Sequence, residues 1–244
     1  MGKIHWSGLA LALACVAGAS AKEAPRAVDV WLHGAIAVDA QGRVTALEWD
    51  QQPKLQAMLA ERVAPAIRQW EFVPATVDGQ PAETRTGVFV HVQADAAADG
   101  SLALRFLDAR TGPMAVRTPP PRYPDAAIRA GASAQVRAEV VVAADGSAQV
   151  RELHYEGSDA HYRKAFLSSV EDTMARWTFR PELVAGHATQ TPVAVPVQFC
   201  VDPMQWCREQ AAKPELAGRE GLPEDAYIGS GALALRTRIE AQRI

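Results

Sequence analysis

The sequence predicts an α+β fold made of two tandem β-β-α-β units, each a small antiparallel sheet packed by one helix. Three observations predict it: a group of residues recurs at a constant spacing, apolar residues alternate before each turn, and an apolar helical stripe follows. The recurring residues, displaced by 107 positions, are Trp70, Phe72, Pro74, Gly79 and Thr84 in the first unit and Trp177, Phe179, Pro181, Gly186 and Thr191 in the second. Self-similarity at a fixed spacing is typical of a duplicated supersecondary unit.

Each unit opens with two predicted strands. In the first unit, apolar and more polar residues alternate from Val28 to Val38 and a turn follows at Gln41-Gly42. In the second unit, the same alternation runs from Val136 to Val142 and ends at Asp145-Gly146. A period of two indicates a strand with one buried face, and an Asp-Gly pair between two apolar runs indicates a hairpin.

A helix and a final strand complete each unit. Apolar residues recur every three or four positions, as on one face of a helix: Leu55, Leu59, Val63, Ile67 and Trp70, then Tyr162, Phe166, Val170, Met174 and Trp177. Both tryptophans close these stripes, so we expect them in the core. Pro65 lies inside the first stripe and is expected to kink or interrupt that helix.

The organisation along the chain follows from these patterns. We expect a signal peptide at 1–21, a first domain at 22–107, a Pro-containing linker at 108–121, a second domain at 122–207 and a tail at 208–244 without a predicted role. Lys3, an apolar stretch and Ala19–Ala21 are typical of a secretory signal. The alternative is an uncleaved membrane anchor, because the uncharged run at 4–21 is at the lower length limit of a spanning helix.

Charge and cysteine content restrict the partners and the compartment. With 25 Lys and Arg against 28 Asp and Glu, the net charge of -3 is too balanced for a nucleic-acid partner. Without the signal segment, an exported chain keeps Cys200 and Cys207, which predicts a disulfide. A zinc site is disfavoured by their spacing.

No catalytic residue, metal ligand or cofactor is predicted. The common catalytic motifs are absent from the sequence, so the chain is not expected to be an enzyme. The opposite interpretation would require His154 and His161 to converge with Glu171 or Asp172 in a pocket.

The second unit resembles the C-terminal domain of TonB, the energy transducer of Gram-negative outer-membrane transport. The motifs that carry the resemblance are Tyr123-Pro124, Asp145-Gly146, Trp177-Thr178-Phe179-Arg180-Pro181, Gly186 and the strand from Val193 to Phe199 with Pro196. The first unit, at about 28–107, is interpreted as a divergent relative that lacks the Tyr-Pro lead-in.

The resemblance implies a periplasmic protein of a Gram-negative bacterium that binds an extended strand of an outer-membrane receptor or another envelope protein by β-augmentation. The candidate surface is the backbone of Val193, Val195 and Val197, with Arg122 and Tyr123 beside it. By their alternation, the three valines are equally interpretable as plain core residues.

Three alternatives stay open at this point. If it does not bind a partner strand, the chain would be a structural envelope adaptor that does not transduce energy. With an uncleaved N-terminus it would be an anchored transducer and a partner of an inner-membrane complex. The sequence also permits a homodimer.

Overall fold

The computed structural model describes residues 27–51, 53–96, 102–201, 207, 228–229 and 231–239. The predicted signal peptide at 1–21 and most of the predicted tail lie outside the described residues. Within them, antiparallel sheets and a few helices confirm the predicted α+β class.

The elements divide into three successive groups. The first group comprises β1 (Val28–Val38), β2 (Val44–Trp49), α1 (Lys54–Ile67), β3 (Phe72–Val73), β4 (Thr76–Val77), β5 (Gln80–Pro81), β6 (Thr84–Ala96) and β7 (Leu102–Gly112). The second comprises β8 (Met114–Arg117), α2 (Asp125–Arg129), β9 (Ala134–Val142), β10 (Ala148–Gly157), a 3-10 turn (Ala160–Tyr162), α3 (Arg163–Met174), β11 (Thr178–Arg180), β12 (Leu183–Val184), β13 (His187–Ala188) and β14 (Thr191–Phe199). Near the C-terminus follow β15 (Ile228–Gly229) and β16 (Ala234–Leu235).

The first sheet is centred on β6. Strand β1 pairs with one side of β6 along its length, and β2 pairs with β1. The other side of β6 is shared between β7 and the β12–β13 hairpin. The alternating residues of β1 and β6 form one core with α1, because period-two strands and a helical stripe each present one apolar face. Its most buried members include Leu32, Ile36, Val63, Ile67, Trp70, Phe72, Val90 and Phe106.

The second sheet has the order β10-β9-β14-β15. The predicted hairpin at Asp145-Gly146 joins β9 to β10, and α3 packs on the sheet. The core between them contains Val136, Val140, Phe166, Val170, Met174, Trp177, Phe179, Val193, Val195 and Phe199. Trp70 and Trp177 are both buried, which confirms their predicted place in the two cores.

The Trp-x-Phe segments close the first hairpin of each group in the same way. The backbone N–H of Phe72 donates to the oxygen of Gly42, and that of Phe179 donates to the oxygen of Gly146, both at 2.8 Å. Both glycines have a φ of 84°, which glycine adopts without steric cost. A Cβ on either would overlap the carbonyl oxygen of the facing Phe. That the two units arose by duplication stays a prediction.

Two local expectations differ from the structure. Residues 108–112 and 114–117 of the expected linker are strand, because β7 continues its pairing with β6 to Gly112 and β8 pairs with β11. Of the prolines that suggested a linker, Pro113 lies between β7 and β8, and Pro119, Pro120 and Pro121 follow the end of β8. Helix α1 continues through Pro65 to Ile67, since a proline in the last turn removes only one backbone donor.

Candidate binding edge

Strand β14 has one fully paired side and one largely open side. It is antiparallel to β9 over its whole length, from Thr191 opposite Val142 to Phe199 opposite Ala134. On its other side, β15 pairs with it only at Val193 and Ala194. No other strand in the described part of the chain pairs with that side. The stretch at 195–199 therefore presents an outer edge.

Pro192 and Pro196 indicate which backbone groups point to this edge. In an antiparallel strand, each residue directs both its N–H and its C=O to one side, and the side alternates along the strand. A proline within a sheet lies where its missing N–H would face away from the neighbouring strand. The backbone groups of the even-numbered residues of β14 therefore point to the open edge. Of these residues, Ala194 and Gln198 supply an N–H group.

The predicted valines point their side chains into the core. Val193, Val195 and Val197 are 2%, 1% and 7% exposed. They pack in the second core together with α3 residues, so their side chains do not form part of the outer surface. This agrees with the core interpretation of their alternation.

The structure places Arg122 and Tyr123 differently from each other. The guanidinium of Arg122 is exposed and pairs with Asp125 at 2.7 Å. The ring of Tyr123 packs edge-on against Phe166 and Phe199 at centroid distances of 5.6 and 5.3 Å. Tyr123 therefore fixes the end of β14 from the core side.

Burial and one hydrogen bond hold the Tyr123 hydroxyl in place. Burial raises the pKa of Tyr123, against a smaller lowering effect of Ser133. Its hydroxyl donates to the oxygen of Ala132 at 2.6 Å. The phenol is therefore a neutral packing and hydrogen-bonding group.

A disulfide joins the residue that follows β14 to a residue a short distance further along the chain. Cys200 and Cys207 are bonded, with their Cα atoms 6.2 Å apart, which confirms the predicted pair. The Gln198 side-chain amide donates to the oxygen of Cys207 at 3.5 Å. This holds residue 207 beside the end of β14.

Glu182 is a buried carboxylate that sequence reasoning missed. It follows the Trp-x-Phe-x-Pro motif and is 0% exposed. Oε1 accepts from the Thr86 hydroxyl and Oε2 from the Thr191 hydroxyl, both at 2.6 Å. The Ala232 N–H donates to the two oxygens at 2.9 and 3.1 Å. One side chain thus joins β6, β14 and the C-terminal residues.

The C-terminal residues 228–229 and 231–239, which we call the C-terminal strap, contact both sheets. At its start, β15 pairs with β14 of the second sheet. Further along, the oxygen of Leu233 accepts from the Thr111 hydroxyl of β7 in the first sheet, and β16 pairs with β3 in a separate two-stranded sheet. The strap places Leu233 and Ile239 in the first core, where they are 5% and 9% exposed. The predicted tail therefore contains an ordered structural element.

His154 and His161, which the enzyme interpretation would bring together, each have their own local contacts. His154 is exposed and lies 3.7 Å from Glu152, and the ring of His161 packs against Tyr162. In the part of the chain that the structure describes, no three His, Cys, Asp or Glu side chains form a group that could hold a metal. No helix there has the length and apolar composition needed to cross a membrane.

The lead-in to the second unit is tied to its helix end. The indole N–H of Trp177 donates to the oxygen of Pro119 at 3.0 Å. The proline-rich lead-in, Trp-x-Phe-x-Pro and β14 therefore belong to one packed unit. Comparison with curated proteins found no match to the chain. Residues 119–201 match the family model described as Gram-negative bacterial TonB protein C-terminal, which confirms the predicted resemblance for this segment.

Proposed function

We propose that this chain is a periplasmic TonB-like protein that binds an extended strand of an outer-membrane receptor, or of another envelope protein, at the outer edge of β14. The family match at 119–201 supports a TonB-like role in transport at the Gram-negative envelope. That family is a binding and transduction domain rather than an enzyme. The observation that carries the proposal is the outer side of β14, which is paired at only two residues within the described structure.

The open edge suits recognition through the main chain. Unpaired N–H and C=O groups on an edge strand can be satisfied by an added strand, and the energy comes from backbone hydrogen bonds. By the proline argument, the partner would contact the backbone of Ala194, Pro196 and Gln198. The side chains of the three predicted valines pack in the core and so keep β14 in place for this contact.

A proline substitution tests the edge directly. Gln198→Pro removes one outward N–H without removing a donor to β9, so we expect it to weaken partner binding at least about fivefold, as the loss of one hydrogen bond of about 1 kcal/mol implies. Gln198→Ala is the matched control, because it loses the side-chain contact with Cys207 but keeps the backbone N–H. The probes are fluorescein-labelled peptides copying the N-terminal segments of the outer-membrane receptors from the same genome, measured by fluorescence anisotropy.

The result separates the proposed function from the adaptor alternative. Binding that is weakened by Gln198→Pro and retained by Gln198→Ala supports strand addition at β14. If none of the receptor peptides binds, the structural-adaptor interpretation gains support. Equal weakening by both variants would assign the effect to the Gln198 side chain and contradict the backbone mechanism.

The state of the N-terminus decides between an exported protein and an anchored transducer. We expect intact-mass measurement of the protein recovered from cells to show a chain lacking residues 1–21. A chain that retains them would support anchoring and an inner-membrane complex as partner.

A further inference from the structure

The C-terminal strap occupies part of the edge to which the proposed function assigns the partner. Strand β15 is antiparallel to β14, with Ile228 opposite Ala194 and Gly229 opposite Val193. Ala194 carries one of the two outward N–H groups of β14. The positions of Pro192 and Pro196 indicate that the backbone N–H and C=O groups of the even-numbered residues point to the open edge. The pair that exchanges hydrogen bonds is therefore Ala194 with Ile228.

The rest of the strap is anchored by contacts other than the pairing of β15 with β14. The Ala232 N–H is held by the carboxylate of Glu182. The hydroxyl of Thr111 donates to the oxygen of Leu233 at 3.0 Å. Leu233 itself is buried in the first core. These contacts retain the strap on the protein whether or not β15 is paired.

The opposite end of the strap is fastened to the segment before β3. The Thr237 hydroxyl accepts from the N–H of Glu71 at 2.8 Å. The N–H of Arg236 donates to the oxygen of Glu71, also at 2.8 Å. In contrast to this firm end, β15 contributes only two residue pairs to its sheet. The strap therefore joins a part held by several contacts to a short part that pairs with β14 at two residues.

We propose that β15 is a built-in competitor of the partner strand, so that the β14 edge binds its partner only when β15 has left Ala194. This inference rests on the proposed function and adds a regulation of the same edge. Tethering keeps β15 at a high effective concentration beside β14, although its own pairing is short. If β15 were seated for about nine tenths of the time, it would weaken the apparent partner affinity about tenfold.

The structure provides a matched pair of opening variants in the full chain. Ile228→Pro removes the N–H that pairs with Ala194, whereas Gly229→Pro removes an N–H that faces away from β14. A Cys pair, Ala194→Cys with Ile228→Cys, locks β15 in place when oxidised, because opposite residues of an antiparallel pair lie at distances compatible with a disulfide. Wild type is measured with and without reductant, since reduction also opens the bond between Cys200 and Cys207.

Two kinds of probe separate this inference from the identity of the partner. The first is a labelled peptide with the chain's own sequence at 224–230, EDAYIGS, and the second is the receptor-derived peptide set used above. We expect Ile228→Pro to bind the EDAYIGS peptide about five- to tenfold more tightly than wild type, with Gly229→Pro within about twofold of wild type. The oxidised Cys pair should lose binding and recover it on reduction.

Hydrogen exchange gives a readout that needs no ligand. The amide of Ala194 should exchange faster in Ile228→Pro than in wild type, and more slowly in the oxidised Cys pair. The inference is overturned if the Ala194 amide exchanges equally in all three proteins. It is also overturned if the oxidised lock binds the EDAYIGS peptide as tightly as wild type.

The two proposals fail in different ways. Binding of the EDAYIGS peptide to the opened variant, with no binding of any receptor peptide, supports competition by β15 and removes the outer-membrane receptor as partner. Binding of receptor peptides to the locked and opened forms alike supports the proposed function and removes the competitor.

Discussion

Replacing Glu182 by Ala should destabilise the protein more than any substitution of an exposed carboxylate. The variant leaves the Thr86 and Thr191 hydroxyls and the Ala232 N–H without their shared acceptor. A hydrogen bond to a charged group contributes about 1.5–3 kcal/mol, so the gross loss is roughly 5–9 kcal/mol. Removing the buried carboxylate also removes its desolvation cost, which is on the order of several kcal/mol and offsets part of this loss.

The local geometry determines the net change in the free energy of unfolding for Glu182→Ala. The Thr86 hydroxyl lies 3.1 Å from the oxygen of Gly112 and can donate there once Glu182 is gone. The Thr191 hydroxyl has no other acceptor among the described hydrogen bonds. We therefore expect Glu182→Ala to lower the free energy of unfolding by about 2–4 kcal/mol, mostly because the Thr191 hydroxyl of β14 is left without an acceptor.

Urea unfolding followed by tryptophan fluorescence measures this change, because unfolding exposes the buried rings of Trp70 and Trp177 to water. Glu171→Ala is the matched control, since Glu171 is an exposed glutamate on α3. It should change the free energy of unfolding by less than about 0.5 kcal/mol.

A double-mutant cycle identifies the cause of the change. Thr191→Val and Glu182→Ala should be non-additive by about 1 kcal/mol or more, because they remove two ends of one hydrogen bond. Additive effects, or a Glu182→Ala loss below about 1 kcal/mol, would refute the assignment of Glu182 as the acceptor that joins the two sheets to the strap.

Three further substitutions test the edge, a turn and a buried histidine. Val195→Pro removes a donor to β9 and should cost about 3 kcal/mol or more in urea unfolding, whereas Ala194→Pro should cost about 1 kcal/mol; equal costs would contradict the outward orientation of the even-numbered residues. In thermal unfolding, Gly186→Ala should cost about 1 kcal/mol for its positive φ, and Gly146→Ala should cost clearly more because its Cβ meets a backbone carbonyl; the reverse order would disprove the steric argument. Burial lowers the pKa of His91, so the contribution of its neutral ring to stability is present above about pH 6.5 and is lost as the pH falls below that value. His91→Phe should therefore flatten the dependence of the free energy of unfolding on pH between about pH 7 and pH 5, and an unchanged profile would contradict the assigned burial of the imidazole.

Most elements of the fold could be predicted because their signals are local. Alternation of apolar residues locates β1, β9 and β14, and a three-to-four spacing locates α1 and α3. The turn at Asp145-Gly146 combines a local sequence signal with a φ of 84° at the glycine. These patterns depend on which face of each element is buried, and that information lies within a few neighbouring residues.

The binding edge could be predicted only in part. The sequence identifies β14 and its alternating valines, and the TonB resemblance indicates an edge-binding function. Which backbone groups face outward follows from Pro192 and Pro196 once β9 is known to be the inner neighbour of β14. The ring of Tyr123 lies in the core because Phe166 and Phe199, which are distant in sequence, enclose it.

By itself, the sequence determined the α+β class, the positions of the main strands β1, β9 and β14 and of the helices α1 and α3, the disulfide between Cys200 and Cys207 and the resemblance of 119–201 to the TonB C-terminal domain. Only the tertiary structure decided that Glu182 is buried and that the strap covers part of β14. The physical reason is the length scale of the signals: periodicity and turn chemistry act over a few residues. The partners of Glu182, in contrast, lie 96 and 50 residues away at Thr86 and Ala232, and such distant donors leave no local pattern.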